Sequence, residues 1–417
     1  MSPLLIALRR GSAPVAVPVM VALGLFAGSR GGESVDWGWT SGQLQQHGVL
    51  LVPLTAAIAA WDTSRWRRTS SALPARTFPR SPATWAMINC IPALLAGFAG
   101  WGAAFALMAA GTRGSGGPYW SVVLLGPLTF VAGTLVGAVA GRLLPRHLAA
   151  PLVAVLVWLS LAFGSSSTDP VLARLSAVDR ACCDVTTQPL AETVTGQWLW
   201  IAALVLSAAA VLAWPSVIRS APLGVLGATA AVFGVSLIVG TGGQLTVPRT
   251  PTAEACGTRD GVTVCMWPEH GSDVTTWLDA VGTYRALFAD LGASPALYLE
   301  SGLRPGADVA RVGAVRPGMG KDDLVLTLAR QHMPSPPECA RTETGSGPFP
   351  AATSRVLVDA WLTHRVRPDT PPAALVPVDR AAQFTRLVES PVERQRQWYA
   401  DVVAAHRDCV TPAPAVS

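Results

Sequence analysis

The stretch VCMWPEH, residues 264–270, holds the most pointed combination of chemically capable side chains outside the apolar segments. An acid beside a histidine can act as a general acid–base pair or supply ligands to a metal ion. No HExxH or CxxC motif accompanies Glu269 and His270, and no second histidine stands at ligand spacing. We therefore favour a structural interpretation, in which a strand ends in a turn and Cys265 is bridged to Cys256.

A second stretch, GMGKDD at residues 318–323, has a superficial likeness to a phosphate-binding loop. That loop requires G-x-x-x-x-G-K followed by Ser or Thr, because the hydroxyl binds Mg²⁺, whereas Lys321 is followed by Asp322. The sequence also lacks the G-x-S-x-G motif of serine hydrolases. We predict no catalytic, cofactor-binding or metal site, and an extracytoplasmic enzyme is the weakest functional hypothesis.

The element that organises the chain is a basic stretch, WDTSRWRRTSSALPARTFPRSP, at residues 61–82. It holds a single acid, Asp62, and five arginines: Arg65, Arg67, Arg68, Arg76 and Arg80. Apolar sequence flanks it on both sides. Short loops rich in arginine stay on the cytoplasmic side of a membrane, since moving guanidinium groups across is costly. The stretch therefore predicts a cytoplasmic loop of a multi-spanning membrane protein.

Composition divides the 417 residues into two parts. Residues 1–244 carry a net charge of +7, from 14 arginines and 7 acids, whereas residues 245–417 carry −2, from 17 basic residues and 19 acids. Half of the chain is hydrophobic, and the mean hydropathy is +0.39. The overall charge of +5 reflects basic loops on the cytoplasmic side of the membrane. It therefore gives no argument for a nucleic-acid partner.

Apolar runs predict seven membrane spans in the first part, since about 20 residues cross a bilayer. They cover approximately residues 12–27, 49–61, 84–110, 120–140, 148–163, 197–214 and 221–239. The second span begins in the polar run 43–47, so its outer turns are polar. No ionisable residue lies inside these bounds, which argues against a proton- or sodium-coupled pump.

Arginine distribution predicts the orientation of the chain. The inner loops hold five, two and one arginines, and Arg9 and Arg10 precede the first span in a segment expected to lie at the cytoplasmic surface. Seven spans with a cytoplasmic N-terminus place the C-terminal domain outside the cell membrane.

Cysteine usage agrees with this orientation, because all cysteines except Cys90 fall on the proposed outer side, where disulfides form. We predict one disulfide between Cys256 and Cys265 and a second between Cys339 and Cys409. Cys182 and Cys183 are adjacent, and adjacent cysteines rarely bridge each other. For these two, structural pairing elsewhere and free thiols both stay open.

Beyond a linker at residues 241–255, the pattern predicts a soluble α+β domain. Strands are expected at residues 262–267, 296–300 and 311–315, and helices at residues 273–291, 321–332, 353–365, 380–389 and 392–407. The predicted fold is thus an α-helical polytopic membrane domain, residues 1–244, followed by an extracytoplasmic α+β domain, residues 245–417.

Two stretches of the first part resemble a known family. ALRRGSAPVAVPVMVALGLF is similar to the interface helix and first span of type-2 ABC exporter permeases of the actinobacterial kind. AAIAAWDTSRWRRTSSALPARTFPRSPATW is similar to their second span and basic coupling loop. The resemblance covers residues 4–110 well and residues 120–240 in general layout. It implies a homodimer or paired permease in membrane lipid, driven by a separate cytoplasmic ATPase. The candidate residues for contact with that ATPase are Arg65, Arg67 and Arg68, and the alternative is that these arginines only hold the membrane topology.

The chain departs from this family in one respect. Such permeases usually have six spans with both termini inside, whereas seven spans and a large outer domain are predicted here. The second part is similar to uncharacterised C-terminal domains of actinobacterial membrane proteins, which brings no activity with it. The leading hypothesis is an exporter permease whose outer domain binds substrate or a partner; the alternative is a membrane-anchored sensor or binding protein without transport activity.

Overall fold

A computed structural model of the chain describes residues 8, 11–30, 36–64, 82–176, 178, 182–214, 216–292, 294–304, 309–316, 318–337, 341–342, 345–346, 351–407, 411–412 and 414. The chain forms two compact units, Met1–Thr250 and Pro251–Ser417. The first unit is almost entirely helical, and the second combines helices with a small mixed sheet.

Ten helices are described in the first unit. They are α1 (Ala13–Arg30), α2 (Trp37–Gln46), α3 (Gly48–Ser64), α4 (Pro82–Gly111), α5 (Trp120–Val123), α6 (Leu125–Leu143), α7 (Arg146–Ser165), α8 (Pro170–Leu175), α9 (Ala191–Ala213) and α10 (Val217–Gly240). Two short strands, β1 (Thr187–Pro189) and β2 (Thr246–Pro248), pair antiparallel. Since β2 pairs with β1, the boundary between the units falls at Thr250, slightly beyond the predicted boundary at residue 244.

Six segments are long and apolar enough to cross a membrane, which indicates a multi-pass membrane protein. They are Ala13–Arg30, Met87–Gly111, Trp120–Leu143, His147–Ser165, Ala191–Ala213 and Ser220–Gly240. Six of the seven predicted spans correspond to these segments. The remaining one corresponds to α3, an apolar helix of 17 residues that falls short of the length expected of a span.

The polar helix α2 leads directly into α3. Its N-cap is Asp36, whose carboxylate accepts a hydrogen bond from the backbone N–H of Trp39 at 2.8 Å. Only His47 separates α2 from α3, and its backbone is itself in the helical region. The polar start of the second predicted span, expected at residues 43–47, therefore begins earlier, at Trp37.

Close packing of the membrane helices depends on glycine. A Cβ atom at Gly24 of α1 would overlap the carbonyl oxygen of Gly100 on α4. In the same way, a Cβ atom at Gly137 of α6 would overlap the carbonyl oxygen of Ala56 on α3. Small residues let helix backbones approach closely where the surrounding lipid offers no hydrophobic driving force. These two contacts fix α1 against α4 and α3 against α6.

The second unit is built around one four-stranded sheet in the order β3-β4-β5-β6. Its strands are β3 (Ala255–Arg259), β4 (Val262–Met266), β5 (Leu297–Glu300) and β6 (Ala310–Val312), and its helices are α11 (Val274–Phe288), α12 (Lys321–Ala329), α13 (Ser354–Val366), α14 (Ala381–Glu389) and α15 (Val392–Ala405). β3 and β4 form a hairpin, while β4–β5 and β5–β6 are parallel. A two-residue pair, β7 (Arg341–Thr342) and β8 (Gly345–Ser346), completes the described strands.

The core of the second unit lies between the sheet and its helices. α11 connects β4 to β5, as the crossover between two parallel strands requires. Its apolar face buries Trp277 and Phe288, and Tyr298 of β5, Trp361 of α13 and Phe384 of α14 are fully buried in the same cluster. The strand and helix positions predicted from periodicity for this unit agree with the structure in type and approximate bounds.

Candidate functional site

The predicted ATPase-coupling residues lie outside the described part of the chain; they are Arg65, Arg67 and Arg68. The helix ends on either side of them are described. α3 ends at Ser64 and α4 begins at Pro82. The segment between these two residues is therefore a connection between two helices that both pack in the first unit.

The sequence predicts that Asp62 lies just beyond the second span, in the basic loop, but the structure places it within a helix. It lies in the last turn of α3 and is buried, with 4% of its surface exposed. In this turn Thr63 donates its hydroxyl proton to the carbonyl of Ala59 at 2.7 Å, and Ser64 donates its own to the carbonyl of Trp61 at 2.9 Å. The helix α3 therefore continues three residues beyond Trp61, the predicted end of the second span.

Asp62 also connects α3 to the start of α1. Ser12 donates to Oδ2 of Asp62 from its hydroxyl at 2.5 Å and from its backbone N–H at 3.4 Å. Bonds to a carboxylate are stronger than bonds between neutral groups. The start of α1 and the end of α3 are thus held together at one end of the bundle.

A second set of polar contacts lies at the opposite end of α2 and α3. The hydroxyls of Thr40 and Thr112 are 2.7 Å apart. Gln45 donates to the carbonyl of Val122 at 2.7 Å, and Ser41 accepts from the backbone N–H of Tyr119 at 3.0 Å. These buried bonds fix α2 against the connection between α4 and α6.

Arg142, at the last turn of α6, caps the end of α9. Its guanidinium donates to the carbonyls of Leu212 at 2.6 Å and Trp214 at 2.7 Å. The last carbonyls of a helix have no partner within the helix, and a cation there is favourable. The two helices therefore end at the same side of the unit, where the sequence predicts an inner loop.

A cavity of about 300 Å³ lies inside the helix bundle. α3, α6, α7 and α9 line it with side chains that include Val52, Ala132, Leu161 and Ile201, and the end of α8 closes one side. Its described lining contains no charged residue and no histidine. Its position and lining suit an apolar ligand.

In the second unit, His270 forms a buried pair with Glu300. His270 Nδ1 is 2.6 Å from Glu300 Oε1, and both side chains are 4% exposed. The other carboxylate oxygen of Glu300 accepts from the backbone N–H of Trp267 at 2.9 Å. The pair thus joins the short 3₁₀ helix Pro268–Asp273 to the end of β5.

This geometry favours the structural interpretation of the VCMWPEH stretch. Glu300, the acid that bonds His270, follows thirty residues later and was not predicted as its partner. The only signal for it was an acid at the end of a predicted strand. Because both groups are buried and the carboxylate is shared with Trp267, they hold the strand ends together.

The structure offers one cluster of possible metal ligands among the described residues, namely Glu254, Cys256 and Cys265. Cys256 and Cys265 face each other across β3 and β4 and are joined as a disulfide, with 4.1 Å between their Cα atoms. Sulfur ligates metals as a thiolate, so the disulfide leaves Glu254 without a thiolate partner. The predicted pair Cys339 and Cys409 lies outside the described residues and stays a prediction.

Cys182 and Cys183 are also joined as a disulfide, although pairing between neighbours was not expected. The backbone of Cys183 has a φ of 68°, in the left-handed region that non-glycine residues seldom adopt. Both residues are buried against α5, α6 and α9. The carbonyl of Cys182 lies against Gly42 of α2.

The GMGKDD stretch forms a helix start. The carboxylate of Asp323 accepts from the backbone N–H of Gly320 at 2.8 Å, one residue before α12 begins. Asp323 also pairs with Arg367 at 2.5 Å. The carboxylate thus performs the capping role of an acid in the first helical turn.

A cluster of aromatic and charged side chains joins α11, α13 and α15. Arg365 binds both carboxylate oxygens of Asp290, and Arg396 binds one of them at 2.7 Å. Burial acts to raise the pKa of Asp290, but these bonds outweigh it and hold the pKa below its ordinary value. Beside them, His332 Nε2 lies 2.6 Å from the hydroxyl of Tyr284, and burial together with Arg365 lowers the pKa of His332.

Comparison with known proteins adds one similarity. No curated protein and no solved structure matches the chain. The match to a protein family lies within the second unit and begins at the first residue of the VCMWPEH stretch. Residues 264–409 match the family described as a domain of unknown function, DUF7224.

Proposed function

We propose that this protein is a permease-like membrane subunit of an ABC-type exporter, energised by a separate cytoplasmic ATPase. The observation that carries the proposal is the segment 65–81, which joins the ends of α3 and α4 and holds five arginines. The sequence across it resembles the second span and basic coupling loop of such permeases. In this proposal the C-terminal unit lies outside and binds substrate or a partner protein.

α2 and α3 together form a seventh crossing in this proposal. Helices of 10 and 17 residues separated by His47 alone extend over about 42 Å at 1.5 Å per residue, more than a bilayer core of about 30 Å. Thr40 near one end bonds Thr112, just beyond the end of α4. Asp62 near the other end bonds Ser12, just before the start of α1. These contacts support a path from one side of the bundle to the other.

The side that carries Ser12, the segment 65–81 and Arg142 is the cytoplasmic side in this proposal. Its arginines support that orientation, since basic residues in short loops remain inside. An odd number of crossings then puts the C-terminal unit outside. The disulfides Cys182–Cys183 and Cys256–Cys265 both fall on that outer side, where an oxidising compartment preserves them.

The arginines next to α3 provide the contact with the ATPase in this proposal. In the sequence, Arg65 and Arg68 are three residues apart, the spacing at which two residues of a helix share a face, and Arg67 does not have that spacing to either. A guanidinium has a fixed fork of donors suited to carboxylates on a partner surface. Such a contact transmits motion of the ATPase directly to the two helices that the segment joins.

The test is purification of the intact, tagged protein from its native membrane, followed by identification of bound polypeptides. We expect an ABC ATPase subunit to co-purify with the wild type and to be lost from the double variant Arg65→Gln, Arg68→Gln. The matched control is Arg76→Gln, Arg80→Gln, which removes the same charge from the far end of the segment. Both variants keep three arginines, enough to hold the segment inside.

The outcome separates this proposal from the alternative of a membrane-anchored sensor or binding protein. If no ATPase accompanies the wild type, or if both double variants retain it equally, the arginines serve membrane topology alone. The exporter proposal would then give way to the sensor. A defined ligand bound by residues 251–417 without any ATPase would support that alternative directly.

A further inference from the structure

We infer that the cavity between α7 and α9 is a binding site for one hydrocarbon chain of a phospholipid from the surrounding bilayer. The inference does not depend on transport activity. It rests on where the cavity opens, on the state of its polar groups and on its size.

The cavity lies between two membrane helices that pack on different neighbours. α7 packs on α3 and α6, whereas α9 packs on α6 and α10, and both line the cavity. Leu204 of α9 belongs to the lining and is 39% exposed, so the cavity reaches the outer surface of the bundle at this residue. In a membrane that surface faces acyl chains.

The polar groups of the lining are already bonded. Thr129, Ser160 and Ser176 each donate their hydroxyl proton to a backbone carbonyl three or four residues earlier, at 2.8, 2.8 and 2.7 Å. The indole N–H of Trp200 donates to the carbonyl of Leu175 at 2.9 Å. Among the described lining residues, these donors are therefore not available to a polar ligand, and the remaining surface is hydrocarbon.

The volume suits part of one chain. At about 300 Å³ the cavity is roughly twice the volume of an apolar protein cavity of about 150 Å³ that stays dry and takes up benzene. An apolar space of this size inside a bilayer gains dispersion contacts when a flexible chain fills it. An acyl chain is the apolar molecule that the membrane supplies at its opening.

The test uses the intact protein in vesicles of phosphatidylcholine that carries a diazirine near the middle of one acyl chain. After illumination, labelled residues are mapped by mass spectrometry. We expect label on Ala132 and Ile201, which line the cavity yet are only 5% and 2% exposed. Lipid around the outside of the protein does not reach such residues.

Two variants of α9 make the test specific. Leu204→Trp enlarges the side chain at the opening and should reduce the label on Ile201 several-fold. Val211→Trp, at a residue of similar exposure, 43%, that does not line the cavity, should leave it unchanged. Label confined to exposed residues such as Leu156 and Phe163 in the wild type would overturn the inference without any variant. An Ile201 label unaffected by Leu204→Trp would also overturn it.

Discussion

The hydroxyl of Ser12 lies 2.5 Å from Oδ2 of Asp62, fifty residues later in the chain. This bond joins the start of the first membrane helix to the end of α3, three residues before the first arginine of the basic segment. A buried carboxylate needs such donors, because leaving it unpaired costs free energy. The contact fixes the start of α1 against the end of α3, which is the helix end that precedes the basic segment.

The first prediction concerns that bond. Ser12→Ala should lower the unfolding free energy of the protein in detergent by about 1.5–3 kcal/mol, the range for a hydrogen bond to a charged group. The control is Ser29→Ala at the other end of α1, where the exposed hydroxyl bonds only the carbonyl of Phe26 in its own helix. Thermal unfolding of both variants measures the difference. Equal melting temperatures would contradict the stabilising role of the Ser12–Asp62 bond.

The second prediction concerns the contact between α3 and α6. Gly137→Ala places a methyl group against the carbonyl of Ala56 and should destabilise the bundle by about 1–3 kcal/mol, as overpacking does. Gly102→Ala on α4 is the control, because nothing lies within 4 Å of the position of its Cβ. The readouts are the yield of monodisperse protein and its melting temperature. A Gly137→Ala protein as stable as Gly102→Ala would mean that these helices are not packed as described.

The third prediction concerns His270 and Glu300. Glu300→Gln removes the buried carboxylate that both His270 and the Trp267 N–H use, so it should cost about 3 kcal/mol of unfolding free energy. Glu254→Gln removes the half-buried partner of the exposed Arg304 and should cost less than about 1 kcal/mol. Urea unfolding of residues 251–417, which form a compact unit with their own core, compares the two. Similar costs for both would refute a structural role for the buried pair.

The fourth prediction concerns the stability of the second unit at acidic pH. Burial lowers the pKa of His332 below its ordinary 6.5, so between the two pKa values the unfolded chain binds more protons than the folded unit. Stability of residues 251–417 should therefore fall as the pH drops below 6.5, by at most about 1.4 kcal/mol per pH unit for this group. His332→Gln should flatten the slope of unfolding free energy against pH in that range. An unchanged slope would show that His332 is not held neutral in the folded unit.

Asp290 predicts a further loss of folding stability at lower pH. Its folded pKa lies below 3.8, because the bonds from Arg365 and Arg396 outweigh the effect of burial. Its contribution to stability is thus complete above the unfolded pKa and is lost as the pH falls through the folded pKa. Arg396→Gln should move this loss to higher pH, as followed by circular dichroism.

Most of the helices could be predicted from the sequence, because each forms from a pattern of residues that are close together in the chain. A continuous apolar run of about 20 residues has few alternatives to a membrane helix. The exception is the region of α2 and α3, where polar residues such as Thr40 and Gln45 lie inside a helix. Their partners, Thr112 and Val122, are far away in sequence, so periodicity alone gave no reason to extend the helix to Trp37.

The pairing of functional groups was less predictable for the same reason. The disulfide between Cys256 and Cys265 follows from two nearby cysteines in a hairpin pattern. By contrast, the bond between His270 and Glu300 depends on the parallel pairing of β4 with β5, which the sequence does not specify. The disulfide between Cys182 and Cys183 occurs together with a left-handed backbone at Cys183, a conformation that is uncommon for a non-glycine residue and that no local pattern predicted.

The most direct test of the account is the side of the membrane on which each part of the chain lies. Single cysteines are introduced as Ser71→Cys in the basic segment and as Val378→Cys in the C-terminal unit, where Val378 is 94% exposed. Each is treated with a membrane-impermeant maleimide, and labelling of the parent protein is subtracted. We predict that Val378→Cys reacts in intact cells and that Ser71→Cys reacts only after permeabilisation. Reaction of Val378→Cys only after permeabilisation would contradict the outer location of the C-terminal unit, and reaction of Ser71→Cys in intact cells would contradict the cytoplasmic location of the basic segment.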